Sequence, residues 1–150
     1  MIFGERIVAE AKNWLGVKYQ HRGISKRGCD CTGLIIGVLQ SLSYMPGYKL
    51  REYPKDWNLH AGAGDYIREE ISKVADKVND SSKQAGDILL FRFGKCIAHC
   101  GIFIGKAVFV HCYLGSGKVC KSVLAPQGQW NSRLAETYRI NESRLGVPNG

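Results

Sequence analysis

The sequence predicts an α+β fold in which N-terminal helices pack on a central antiparallel sheet of about five strands. Three observations carry that expectation. Residues 2–16 hold apolar side chains at helical spacing, and residues 31–43 form a second, strongly apolar helical run. Between Ile88 and Leu124, short apolar runs alternate with glycine-containing turns, the pattern of antiparallel hairpins. Helices come first and strands afterwards, instead of alternating as they would around a parallel sheet. With 150 residues, 45% of them apolar and 23% charged, the chain reads as one globular domain over 1–150. A chain of that length buries roughly two-thirds of its unfolded surface.

Each element has a local reason. Residues 2–16 read as a helix because Ile2, Ile7, Val8, Ala11 and Leu15 recur at helical spacing and Gly16 follows as a stop. Residues 17–29 form a loop rich in Gly, Lys and Arg, with Tyr19 and His21 near its start. Residues 31–43 are apolar enough for a buried second helix, with Asp30 where an N-cap belongs and Pro46-Gly47 beyond its end. Residues 44–65 carry Tyr, Pro and Trp without periodicity and read as loop with a short helical turn. Asp65 then caps a third, more polar helix from Tyr66 to about Val78. The turn at 81–87 launches strands at Ile88–Phe93, Cys100–Ile104, Ala107–Tyr113 and Lys118–Leu124, and a last strand runs from Thr137 to Ile140. No internal repeat, low-complexity tract or linker divides the chain.

Composition narrows the function classes. The net charge of +8 favours polyanionic surroundings, but the basic residues are scattered instead of forming one stripe, so nucleic acid is not expected as a partner. No apolar run reaches the roughly 20 residues that span a bilayer. The opening Met1-Ile2-Phe3-Gly4-Glu5-Arg6 lacks a basic region followed by an apolar core, so no secretory signal is expected. The six cysteines are then expected to be reduced thiols, not a disulfide framework.

The chemistry-bearing residues are Cys31, His99 and His111. A thiol with a free pKa of about 8.5 is mostly protonated at neutral pH and becomes a good nucleophile beside a base or a helix N-terminus. Cys31 falls in the first turn of the second helix, where the dipole favours an anion and its own backbone N–H offers an oxyanion donor. His99, at a strand start, is the natural base, forming a thiolate–imidazolium pair. His111 on the next strand faces the same way if the hairpin register allows, and then fixes the tautomer of the first ring. The plainer reading makes Cys31 a small core residue and both histidines structural. It is the better reading for any one of them alone, and the combination favours catalysis. Zinc is the rival use of Cys96, His99, Cys100, His111, Cys112 and Cys120. On strands, however, His99 and Cys100 point to opposite faces, as do His111 and Cys112, so neither a metal nor another cofactor is expected. Cys29 is read as a loop-packing residue ahead of a resolving partner for Cys31, and Trp14, Trp57 and Trp130 are read as core. The cluster from Lys49 to Trp57 is a candidate lid or partner surface.

Taken in order, Tyr19 with its glycine-containing loop, Asp30-Cys31-Thr32-Gly33-Leu34, Ala85-Gly86-Asp87-Ile88-Leu89-Leu90-Phe91, His99-Cys100-Gly101-Ile102-Phe103-Ile104-Gly105 and Val110-His111 resemble the NlpC/P60 family of papain-like cell-wall cysteine peptidases, over roughly residues 5–140. The opening Ala11 to Gly23 and the doubled Cys29-Asp30-Cys31 look most like its stand-alone subgroup from phage tails and gene-transfer agents. The resemblance implies a three-helix layer on an antiparallel sheet, Cys31 as nucleophile, His99 as base and His111 as third polar residue. It implies peptidoglycan stem peptides as substrate, often cut between γ-D-glutamate and the following diamino acid, and phage-like tail proteins as partners. The protein would be made in the cytoplasm and carried to the wall. Tyr19 and Asp30 match positions beside the family's active site, and Thr32 keeps the hydroxyl where many relatives have Ser. These three are the candidate substrate-binding residues, with Asp30 equally readable as a helix cap alone. The alternatives are a papain-like amidase or acyltransferase acting on another amide or thioester, and a non-catalytic tail-assembly protein.

Overall fold

Ile7 and Ala11, one helical turn apart, are the buried residues of the first helix, α1 (Phe3–Lys12). In the computed structural model, which describes residues 1–50 and 66–146, this helix stops short of the expected Gly16. Asn13, Trp14 and Leu15 donate to carbonyls three residues back, which tightens the last turn before Gly16 takes a φ of +90°. The loop that follows contains a two-residue hairpin, β1 (Ile24–Ser25) with β2 (Gly28–Cys29), which the polar sequence did not announce.

Helix α2 (Cys31–Ser41) starts where Asp30 places it, the Asp30 carboxylate accepting from the Gly33 N–H at 2.8 Å. Every residue from Thr32 to Leu39 is buried, so this is the central helix of the layer. A Cβ at Gly33 would overlap the carbonyl oxygen of Gly23, and one at Gly37 would overlap the Trp14 ring. Only glycine lets the 20–24 loop and Trp14 lie directly on the helix backbone.

The third helix, α3, covers Tyr66–Ser72 only. The residues expected to prolong it form a strand instead, β3 (Ala75–Val78), paired antiparallel with the last strand. Ala-Asp-Lys-Val is locally ambiguous, and the open edge of the last strand supplies hydrogen bonds that a helix end does not. Among the described residues the sheet therefore has six strands, β3 adding one to the roughly five expected. Its remaining members are β4 (Ile88–Phe93), β5 (Cys96–Gly105), β6 (Val108–Tyr113), β7 (Lys118–Val123) and β8 (Leu134–Ile140), in the order β3-β8-β4-β5-β6-β7. Every pairing is antiparallel. A short helix, α4 (Gln129–Arg133), joins β7 to β8 and was not anticipated. The expected cap at Asp65, Trp57 and most of the 49–57 cluster lie outside the described residues.

Strand alternation divides the interior into two cores. One side of the sheet presents Ile88, Leu90, Cys100, Ile102, Val110 and Cys112 to the helices, where they meet Ile7, Trp14, Leu34, Ile35 and Ile67. The other side gathers Leu89, Phe91, Phe103, Phe109 and Leu124 beneath Trp130 of α4. Fully burying each of those aromatic rings contributes about 2–3 kcal/mol. Asp87, at the head of β4, is buried and accepts from the Arg139 guanidinium at 3.1 and 3.0 Å, so the Ala-Gly-Asp run is a structural clasp between β4 and β8.

Candidate active site

Cys31 is the first residue of α2, and its position follows from Asp30. One oxygen of Asp30 accepts from the Gly33 N–H, and from the Thr32 hydroxyl at 3.3 Å; the other accepts from the Arg22 N–H at 2.9 Å. The carboxylate thus ties the start of the helix to the loop before it. The N–H of a first helical residue has no acceptor within the helix, so that of Cys31 is available to a ligand.

A cavity of about 400 Å³ opens beside Cys31, where the end of β4, the start of β5 and the end of β6 come together. At this end of the sheet, residues from both faces reach one space: Ala98 and Cys112 from the helix side, Phe93, His99 and Tyr113 from the aromatic side. Of the six residues singled out in the sequence, Tyr19, Asp30, Cys31, Thr32 and His99 line this cavity. His111 does not; it stands behind His99. Among the described residues no hydrogen bond joins Cys31 to His99 directly, and what they share is the cavity wall.

The two imidazoles are joined firmly. His99 Nε2 and His111 Nδ1 are 2.7 Å apart, which leaves His99 Nδ1 as the nitrogen not committed to its neighbour. The far nitrogen of His111, Nε2, lies 2.8 Å from Ser122 Oγ and 3.7 Å from Cys120 Sγ. The rings are walled by aromatics, with the Trp130 centroid 5.4 Å from that of His99 and 4.8 Å from that of His111, and Phe109 at 4.5 Å from His111. Burial, and then the adjacent His111, hold His99 well below the ordinary imidazole value. Burial alone pushes His111 down to about 4. Both rings are therefore neutral at pH 7, so the resting site holds a neutral base, not the imidazolium of an ion pair.

Tyr19, Cys100 and Cys29, in or beside the site, stay protonated. Tyr19 is pushed up to about 12, first by burial and then by Asp30, Cys31 and Cys112, so its hydroxyl remains a donor. Burial, followed by the Cys31 side chain, pushes the Cys100 thiol well up, and contact with Cys112 together with burial does the same for Cys29. Cys29 is wholly enclosed, and Cys112 Sγ donates to its carbonyl at 3.0 Å, so both act as packing groups. His99 and Cys100 do face opposite sides of β5, and among the described residues no group of three or more His, Cys, Asp or Glu is arranged to hold a metal.

Ser122 is the residue that sequence reasoning missed. The signal lay in the pairing of β6 with β7: His111 is opposite Cys120 and Phe109 opposite Ser122, so Cys120 and Ser122 share the face of His111.

Comparison with known proteins identifies the family and the fold. The model of the NlpC/P60 family matches residues 16–139. The chain is 30% identical over 135 residues to the murein DD-endopeptidase MepS/murein LD-carboxypeptidase of Escherichia coli K12, covering 90% of this chain and 62% of that protein's length. Among solved structures, the NlpC/p60 domain of the peptidoglycan hydrolase SagA superposes with a TM-score of 0.61 at 21% identity, over 93% of this chain and 99% of that one. RipD of Mycobacterium tuberculosis, described as a non-catalytic NlpC/p60 domain protein adapted to peptidoglycan binding, superposes with a TM-score of 0.60 at 14% identity, over 94% and 98%. One fold thus serves hydrolysis and bare binding, and the side chains at the cavity must decide between them.

Proposed function

The chain belongs to the NlpC/P60 family, and from that premise we propose that it is a cysteine peptidase hydrolysing peptide-stem amide bonds of peptidoglycan. The observation that carries this reading is the 2.7 Å link between His99 and His111 at the back of a cavity whose front wall holds Cys31.

The mechanism uses those groups in sequence. Cys31 turns about χ1 towards His99 as substrate enters, since hydrogen bonds that are open in an empty site commonly close in the complex. His99 Nδ1 takes the thiol proton and the sulfur attacks the amide carbonyl carbon. The resulting oxyanion is met by the N–H of Cys31. Collapse of this intermediate breaks the C–N bond, and the proton on His99 leaves with the amine. The same nitrogen then deprotonates a water that attacks the thioester, which frees the acid and restores the thiol. His111 accepts from His99 Nε2–H throughout and keeps Nδ1 pointed at the thiol. Tyr19, a donor beside the nucleophile, and the Asp30–Thr32 wall would hold the substrate.

The bond we assign is that between γ-D-glutamate and the following diamino acid. The resemblance of Ala11 to Gly23 and of Cys29-Asp30-Cys31 to phage and gene-transfer-agent proteins supports a role on a tail-like particle, with synthesis in the cytoplasm and action at the wall. The test is mass spectrometry of defined muropeptides incubated with the chain and with Cys31→Ser. New fragments from the unaltered chain alone, with a free γ-D-glutamyl carboxylate, are expected. Cleavage by neither, with no selective alkylation of Cys31 by iodoacetamide, would move the protein to the non-catalytic class.

A further inference from the structure

We propose that Ser122 is a positioning residue of the same site: its hydroxyl fixes the tautomer of His111 and, through it, which nitrogen of His99 is free to act as base. The inference rests on the peptidase reading for its catalytic consequence, but not for the tautomer itself.

The Ser122 hydroxyl can accept from His111 Nε2–H or donate to a bare Nε2, but without it only the Nε2–H tautomer would leave a buried N–H unpaired, so that tautomer depends on the hydroxyl. For His99 to take a proton at Nδ1, its own proton must sit on Nε2 and be donated to His111 Nδ1, 2.7 Å away. His111 Nδ1 must then be bare and its proton must lie on Nε2. That proton points at Ser122 Oγ, 2.8 Å away, the nearest acceptor offered to it. Cys120 Sγ lies on the same nitrogen at 3.7 Å and is the weaker acceptor. In the opposite tautomer His111 would carry its proton on Nδ1 and aim it at His99 Nε2. His99 would then have to move its own proton to Nδ1, the nitrogen left for the thiol proton, and could no longer accept. Without an acceptor at the far end, nothing in the two rings selects the productive arrangement. The surroundings sharpen the choice, because the side chains of Phe91, Phe109 and Trp130 close around the rings and offer no competing acceptor. Both rings are buried, so water does not take over the part of the hydroxyl.

Three properties of β7 make the assignment specific. Ser122 alternates with exposed Lys121 and Val123, so it is turned inward on a strand whose flanking side chains face solvent. It stands on the edge strand and is not among the residues that line the cavity. A purely structural serine at such a place would affect stability alone.

The experiment compares Ser122→Thr with Ser122→Val, two side chains of one shape of which only the first keeps the hydroxyl. Long-range ¹H–¹⁵N NMR on the resting proteins reads which nitrogen of His99 and His111 bears the proton. The unaltered chain and Ser122→Thr are expected to show protonated Nε2 on both rings, and Ser122→Val a mixture with Nδ1–H. In muropeptide cleavage, Ser122→Val should lose about tenfold in kcat with KM unchanged, and Ser122→Thr should stay within about twofold of the unaltered chain. If no muropeptide is cleaved, the peptidase reading fails, and the rate at which iodoacetamide alkylates Cys31 takes the place of turnover, with the same order expected. Identical tautomers in the two variants, or equal rates, would overturn the assignment.

Discussion

On the side turned to the helices, β5 and β6 present Cys100, Ile102, Val110 and Cys112; on the other side the same two strands present His99, Phe103, Phe109 and His111. One set is aliphatic and thiol, fully packed and chemically idle. The other surrounds the polar row of His99, His111 and Ser122 with aromatic rings. Adjacent residues of one strand thus serve the core and the chemistry, and a register slip of one residue would exchange them. The aromatic side does two things at once, because the rings that stabilise the sheet also exclude water from the imidazoles and keep them neutral. Substitutions on the helix side should register in stability alone, whereas those on the aromatic side should register in stability and rate together.

The largest expected effect falls at the cavity, where the two sides meet. His99→Ala should reduce muropeptide cleavage by about 10³-fold or more and also lower the midpoint of thermal unfolding, because it empties a buried position and strips His111 of its partner. Next is Trp130→Ala, which removes the cover from both imidazoles. Urea denaturation should show a loss of about 3–5 kcal/mol, and kcat should fall as well; an unchanged kcat would reduce the aromatic side to mere packing. The third concerns pH. His111 sits at about 4 when folded and near 6.5 when unfolded, so below pH 6.5 the unfolded chain binds more protons. Stability from this group is fully present above pH 6.5 and is lost as pH falls towards 4, about 3 kcal/mol in all. Denaturation midpoints measured between pH 7.5 and 4 should show that slope added to one of the same sign from His99, and His111→Gln should reduce it. The smallest is Ile102→Val on the helix side, which should cost about 0.5–1.5 kcal/mol and leave kcat and KM unchanged.

How much of this was legible depended on the range of the interaction. The Asp30 cap and the unbroken apolar run behind it mark the start of α2 without help from the rest of the chain. Alternation in Val108–Tyr113 and Cys96–Gly105 likewise separates His111 from Cys112 and His99 from Cys100. Ala75–Val78 was misread because its residues suit a surface helix, and only the unpaired edge of β8, far along the chain, makes it a strand. Helix α4 is five residues long, too short to show a period. Ser122 carries no mark in its own neighbourhood: its meaning comes from the pairing of β6 with β7, which a strand's internal pattern does not contain. The meeting of Cys31 with His99 is of the same kind, since it depends on how α2 lies against the end of the sheet.

The glycines of α2 bear on how such a site could be retuned. With Gly33 against the Gly23 backbone and Gly37 against the Trp14 ring, the wall that carries Tyr19, Asp30 and Thr32 is packed directly on the helix backbone, and a single added methyl group would dislodge it. Variation there is closed. Across the cavity, Leu114 is 68% exposed and followed by three more turn residues on the surface, so it tolerates exchange. A library meant to broaden or redirect substrate choice should be written at Leu114 and leave the glycine wall untouched, since an added Cβ at Gly115 would meet the Tyr113 ring and Gly117 holds a φ of +74°.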